Sequence, residues 1–185
     1  MKLILFFHFF LLVLFFEFFI DFFLLNSEIS INLSREQNDR ITNIRKMYLH
    51  ETKIRIRYAE TDQMGYVYYG NYAQFFEIGR VEMLRALGVS YASMEKRGIM
   101  LPVVDYSVKY IKPAYYDDYI TVRTMIEEIP SVKIKFNYEI YNENNHLLTS
   151  AKTTLVFVKK ADMKPTLPPQ ELVAALTVKL LENNS

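Results

Sequence analysis

The chain has 185 residues, 51% of them apolar, and carries 22 Lys+Arg against 21 Asp+Glu. That balance excludes the basic surface that drives nucleic-acid binding, and the length suits one compact domain. With no cysteine and with only His8, His50 and His146 scattered along it, the sequence offers no disulfide, no thiolate nucleophile and no clustered metal ligands, so neither metal nor cofactor is expected.

Residues 3–25, LILFFHFFLLVLFFEFFIDFFLL, are long and apolar enough to cross a bilayer as a helix and hold ten of the 14 phenylalanines. A signal peptide is a poor match, because no small-residue cleavage site precedes Asn26 and Ser27. An anchor would carry Glu17 and Asp21 in its inner half, each at about 2.5–3.5 kcal/mol on insertion scales. The stretch 26–46 is polar without an apolar face, and Met47 opens a self-contained pattern. The favoured expectation is that translation starts at Met47 and that the Phe-, Leu-, Ile-, Asn- and Lys-rich stretch before it is AT-rich non-coding DNA read through. The protein is then a single cytoplasmic domain over 47–185, in contact with a membrane only if residues 1–25 are genuine and retained.

Within that domain KIRIRY, 53–58, alternates Ile54, Ile56 and Tyr58 against Arg55 and Arg57, as a half-buried strand does. A loop follows, YAETDQMGYVYYGNYAQFFEIGR from 58 to 80, which runs into a helix over 71–87. Tyr72, Phe75, Phe76, Gly79, Met83, Leu84 and Leu87 recur there at helical spacing, with Gly88 as the stop. Gly79 in mid-helix costs about 1 kcal/mol against Ala, a cost tolerated where a sheet wraps closely around the backbone. A helical turn, SYASMEKRG, closes the unit. Four strands are expected after it, at 99–111, 119–128, 132–141 and 147–158, separated by the turn signals KPAYYDD, IPS and NENNH. A terminal helix, QELVAALTVKLLEN, follows Pro168–Pro169. Short turns imply antiparallel neighbours, so the expected class is α+β, with an antiparallel sheet wrapped around one long central helix.

This order, with TDQMGYVYYGNY and the later VKYIKPAYYDD, resembles the hotdog-fold thioesterases, most nearly the 4-hydroxybenzoyl-CoA thioesterase family and its YbgC-like acyl-CoA thioesterases. The resemblance covers about 48–165. It implies a hydrolase acting on an acyl-CoA thioester, paired edge to edge as a homodimer and often assembled to a homotetramer. By it, Asp62 matches the catalytic aspartate, and Tyr69 matches the position whose backbone N–H receives the thioester carbonyl. Tyr69 also stands seven residues after Asp62, where YbgC-like members commonly carry histidine.

Spacing alone favours a plainer role for Asp62, as a turn former in an Asx turn or with Thr61, and the resemblance reverses that preference. An ionised carboxylate can attack the carbonyl carbon or deprotonate water, and residues do not choose between these. The amides near Tyr69, Gly70 and Asn71 lack intrahelical partners and carry the positive end of the helix dipole. Gly65 is either a substrate-approach glycine or an ordinary turn glycine. Tyr66, Tyr68, Tyr69 and Tyr72 divide between acyl-pocket lining and subunit packing. Lys109, Lys112 and Arg123 are candidate partners for coenzyme A phosphates. Glu77 is read as an interface residue or an ion-pair partner of Arg80. A non-catalytic hotdog protein that binds acyl-CoA or acyl carrier protein is the alternative.

Overall fold

The computed structural model describes residues 47–182. The expectations for residues 1–46 lie outside the described residues. Strand β1 (Tyr48–Arg55) comes first, then helix α1 (Tyr72–Ala86) and the short helix α2 (Tyr91–Lys96). Strands β2 (Ile99–Met100), β3 (Val103–Tyr110), β4 (Tyr119–Ile126), β5 (Lys133–Asn142), β6 (Leu147–Val156) and β7 (Val158–Lys159) follow, with α3 (Gln170–Glu182) last. Five strands form one antiparallel sheet in the order β1-β4-β5-β6-β3, and β2 pairs with β7 in a small ribbon.

Alternation along the strands sorts their side chains by face. Ile120, Val122, Thr124 and Ile126 of β4 and Ile134, Phe136, Tyr138 and Ile140 of β5 are buried toward α1, which returns Tyr72, Phe75, Phe76, Met83 and Leu84. Each such apolar side chain taken from water contributes about 1.5–3 kcal/mol. Gly79 sits where the sheet presses closest, as expected: a Cβ there would lie 2.5 Å from Thr124 Oγ1 and 2.9 Å from Val122 Cγ1.

Three expectations are corrected. The first strand ends at Arg55, because Tyr58–Glu60 form a single 3-10 turn; Tyr58 is 78% exposed rather than inward-facing. The expected strand 99–111 breaks around Leu101 and Pro102, since proline has no N–H for a ladder; Pro102 instead accepts from the Val156 amide at 3.1 Å. Arg80 does not pair with Glu77, which is exposed. Its guanidinium turns into the core, where Nε donates to Tyr91 Oη at 2.7 Å and Nη1 to Tyr138 Oη at 3.3 Å, beside the Phe136 ring. Burial pushes the Tyr91 and Tyr138 hydroxyls up, and the Arg80 charge opposes that rise.

Candidate active site

The loop from Tyr58 to Asn71 is shaped by backbone bonds before any side chain acts. Ile56 exchanges bonds with the 117–118 turn, its N–H donating to the Asp118 carbonyl at 3.0 Å and its carbonyl accepting from Asp117 at 3.1 Å. The Val67 N–H donates to the Ala114 carbonyl at 2.9 Å, and Tyr66 bridges Tyr115. These ties clamp the loop against the segment that follows β3. At its tip Gly65 adopts φ +80, a left-handed conformation that favours glycine, and its N–H donates to the Asp62 carbonyl at 3.0 Å. The Met64 N–H donates to Asp62 Oδ1 at 2.8 Å. Asp62 therefore does form an Asx turn, and that turn occupies Oδ1 but not Oδ2.

The helix start is pinned separately. Asn71 donates its backbone N–H to the Tyr68 carbonyl at 2.9 Å and its side-chain Nδ2 to the Glu60 carbonyl at 2.8 Å. Tyr69–Asn71 make one 3-10 turn that leads into α1. The Tyr69 and Gly70 amides thus stand ahead of the first helical bond, where the dipole is positive. The Tyr110 hydroxyl donates to the Tyr69 carbonyl at 3.0 Å. Tyr68 stacks at a tilt on Tyr69, centroids 4.5 Å apart, and a Cβ on Gly70 would lie 2.7 Å from the Tyr68 ring.

These pieces line one cavity of about 390 Å³. Asp62, Tyr69 and Lys112 are its polar expected members, and Met64, Tyr66, Val67, Tyr72, Tyr110, Ile111 and Pro113 supply apolar and aromatic wall. Burial raises the hydroxyls of Tyr72 and Tyr110 above the ordinary tyrosine range, so both remain protonated donors at neutral pH. Larger depressions of about 470 and 620 Å³ lie elsewhere, one on the solvent face of the sheet and one beside Lys53, Arg55 and Arg57. Neither contains Asp62 or the start of α1, which the smaller cavity brings together.

The expected residues divide accordingly. Asp62, Tyr69, Lys112, Tyr66 and Tyr72 come together. Gly65, Tyr68 and Gly70 shape the loop around them, and the side chain of Asn71 is spent on the Glu60 carbonyl. Lys109 is not brought to the cavity: neighbouring Tyr110 faces it, and alternation sends Lys109 to the solvent face with Glu139 and Lys152. Arg123 does not line the cavity either: its Nε donates to Glu51 Oε1 at 2.7 Å and its guanidinium lies over the Tyr141 ring. Met64, Val67, Tyr110, Ile111 and Pro113 were missed by sequence reasoning. Tyr110 had a signal, as the last inward position of the Tyr106, Val108, Tyr110 alternation. Among the described residues no three of His, Asp or Glu gather as a metal-ligand set, and no helix is long and apolar enough to cross a membrane.

Comparison with known proteins gives this site its context. A family model described as the thioesterase-like superfamily matches residues 56–176. YneP of Bacillus subtilis is 40% identical over 119 residues, 64% of this chain and 86% of that protein. The acyl-CoA thioester hydrolase YbgC of Escherichia coli is 33% identical over 121 residues, 65% of this chain and 90% of that protein. A solved DHNA-CoA thioesterase from Staphylococcus aureus superposes with a TM-score of 0.69 at 38% identity, over 74% of this chain and 93% of its own.

Proposed function

The chain belongs to the thioesterase-like superfamily, with the hotdog fold, and on that premise we propose that it hydrolyses an acyl-CoA thioester to a free acid and coenzyme A through Asp62. The observation that carries the reading is the shared cavity: a half-buried carboxylate with one oxygen free of its turn, and Tyr69, which opens the turn into α1, line the same wall. Asp62 supplies either the oxygen that bonds to the carbonyl carbon or the base that takes a proton from attacking water. In both routes the carbonyl π pair moves to oxygen, and the C–S pair leaves as thiolate when the tetrahedral intermediate collapses. The amides ahead of α1 receive the oxyanion, a service typically worth about 2.7–4 kcal/mol per donor. Lys112 supplies positive charge beside the cavity for the anionic coenzyme, and the tyrosine and methionine wall takes the acyl group.

The test is hydrolysis of a panel of acyl-CoA thioesters, with thiol release followed by a colorimetric reagent. Turnover that increases with enzyme supports the reading, whereas tight acyl-CoA binding without turnover favours a carrier or sensor. A single turnover in ¹⁸O-labelled water tests direct attack: an anhydride that opens at the Asp62 carbonyl delivers an unlabelled oxygen to the acid and leaves the label on Asp62, whereas water activated by Asp62 labels the acid.

The same reading includes a second copy of the chain along β3. That edge strand is exposed almost throughout, with Val103 49%, Val104 56% and Tyr106 41% accessible, whereas the opposite edge, β1, alternates outward Glu51, Lys53 and Arg55. An open apolar edge is a template for strand addition, and Tyr110 belongs both to this edge and to the cavity. Light scattering is expected to give at least two chains per particle, and Val104→Lys to shift the mass toward one. A wild-type monomer at micromolar concentration would overturn the pairing.

A further inference from the structure

The hydrogen bond from the Tyr110 hydroxyl to the Tyr69 carbonyl, 3.0 Å long, joins positions 41 residues apart and ties the end of β3 to the beginning of the helix. The Tyr69 carbonyl shares its peptide unit with the Gly70 N–H, one of the amides that precede the first helical bond. A donor placed on a peptide oxygen draws electron density from the nitrogen, which strengthens the N–H as a donor by about 10–30% per bond. It also resists rotation of that peptide plane, in a turn where glycine would otherwise permit it.

The hydroxyl is not needed to seat the ring. Tyr110 meets Tyr72 edge to face at 5.2 Å, a contact phenylalanine would keep, and the residue is 45% exposed in the single chain, so water is an available partner for the O–H there. The O–H instead donates to a carbonyl whose peptide carries one of the two amides at the site, the Gly70 N–H.

We propose that Tyr110 is a positioning residue for the oxyanion donors, its hydroxyl holding and polarising the Tyr69–Gly70 peptide at the start of α1. This rests on the hydrolase reading above. As the thioester carbonyl gains negative charge, the amides must already be fixed, because reorienting them during the reaction would add to the barrier. Tyr110 touches no reacting atom; it acts through the peptide. The neighbouring inward tyrosine, Tyr106, has its hydroxyl pushed up to about 12 by burial first and by Tyr110 next, so it stays protonated beside Tyr110 across the working pH range.

The experiment compares wild type with Tyr110→Phe, a substitution that a half-exposed ring position tolerates. Losing an oxyanion donor outright costs roughly 10²–10³ in kcat. Loosening one costs less, and kcat is expected to fall roughly tenfold, with KM within about twofold and the thermal midpoint unmoved. An unchanged kcat overturns the proposal, as does a fall in kcat and rise in KM that track a lowered midpoint. A second readout needs no turnover: in an Asp62→Asn background, the infrared stretch of a bound ¹³C-carbonyl acyl-CoA should move to higher frequency when Tyr110→Phe is added. An unmoved stretch overturns the role of Tyr110. If wild type hydrolyses no thioester, the hydrolase reading fails on that assay alone, and the stretch still decides Tyr110.

Discussion

Asp62→Asn is expected to lower kcat by roughly 10²–10⁴, the usual range for removing a positioned acid or base, while leaving KM and thermal midpoint nearly unchanged. The split follows from the two roles of this side chain. Its Oδ1 accepts the Met64 N–H at 2.8 Å, and an asparagine amide oxygen accepts the same bond, so the Asx turn survives. What asparagine lacks is the anionic oxygen that attacks carbon or takes a proton from water. Asp62→Ala removes both roles, and should add a stability loss of about 1 kcal/mol for the lost turn bond. Steady-state kinetics on an acyl-CoA that wild type hydrolyses, with thermal melts of all three proteins, make the comparison. Equal kcat for wild type and Asp62→Asn would remove Asp62 from the chemistry and leave it a turn former only.

The two roles of Asp62 also mark where sequence reading reached its limit. A turn former and a reactive carboxylate compete as explanations when only spacing is visible, yet the turn in the structure occupies Oδ1 alone, so the two roles are compatible. The apolar face of α1 was legible, because residues at helical spacing must share a side and Gly79 must meet whatever lies closest. Arg80 was not: helical spacing offers Glu77 as its partner, and only the tertiary arrangement reveals two tyrosine hydroxyls in the core to receive it. Lys109 and Lys112 looked equivalent until the pleat of β3 sent one outward, while Lys112 lies past the strand end, where alternation no longer governs. Tyr110 went unnoticed as a site residue for a related reason. The bond it makes spans from the sheet edge to the helix start, and no local pattern encodes such a contact.

Gly79→Val is expected to be the most damaging single change to the fold at the helix–sheet contact. A Cβ alone would stand 2.5 Å from Thr124 Oγ1 and 2.9 Å from Val122 Cγ1, and valine adds two methyl groups beyond it. Both obstacles sit on β4, whose backbone is paired on each side by β1 and β5, so the strand cannot yield cheaply. Overpacking of this kind costs about 1–3 kcal/mol, and a rigid wall places it near the upper end, against which valine's gain in helix propensity over glycine is a few tenths. For a domain of this size a loss of about 3 kcal/mol lowers the thermal midpoint by roughly 10 °C. Thr124→Ala supplies the internal check. Among the described residues Thr124 Oγ1 is buried without a hydrogen-bond partner, so its removal alone costs little and opens the space the new side chain needs. The double variant should therefore recover at least about 1 kcal/mol relative to additivity. Strict additivity, or an unshifted midpoint in Gly79→Val, would mean that the helix does not bear on β4 there. The same displacement reaches the site, because the turn that carries the proposed oxyanion amides runs directly into α1 while Asp62 is anchored by the loop. A helix pushed outward moves one without the other, and a misplacement of about 1 Å can cost 10²-fold in rate. In Gly79→Val, kcat should therefore fall at temperatures well below the midpoint, and the Thr124→Ala partner should restore rate and stability together.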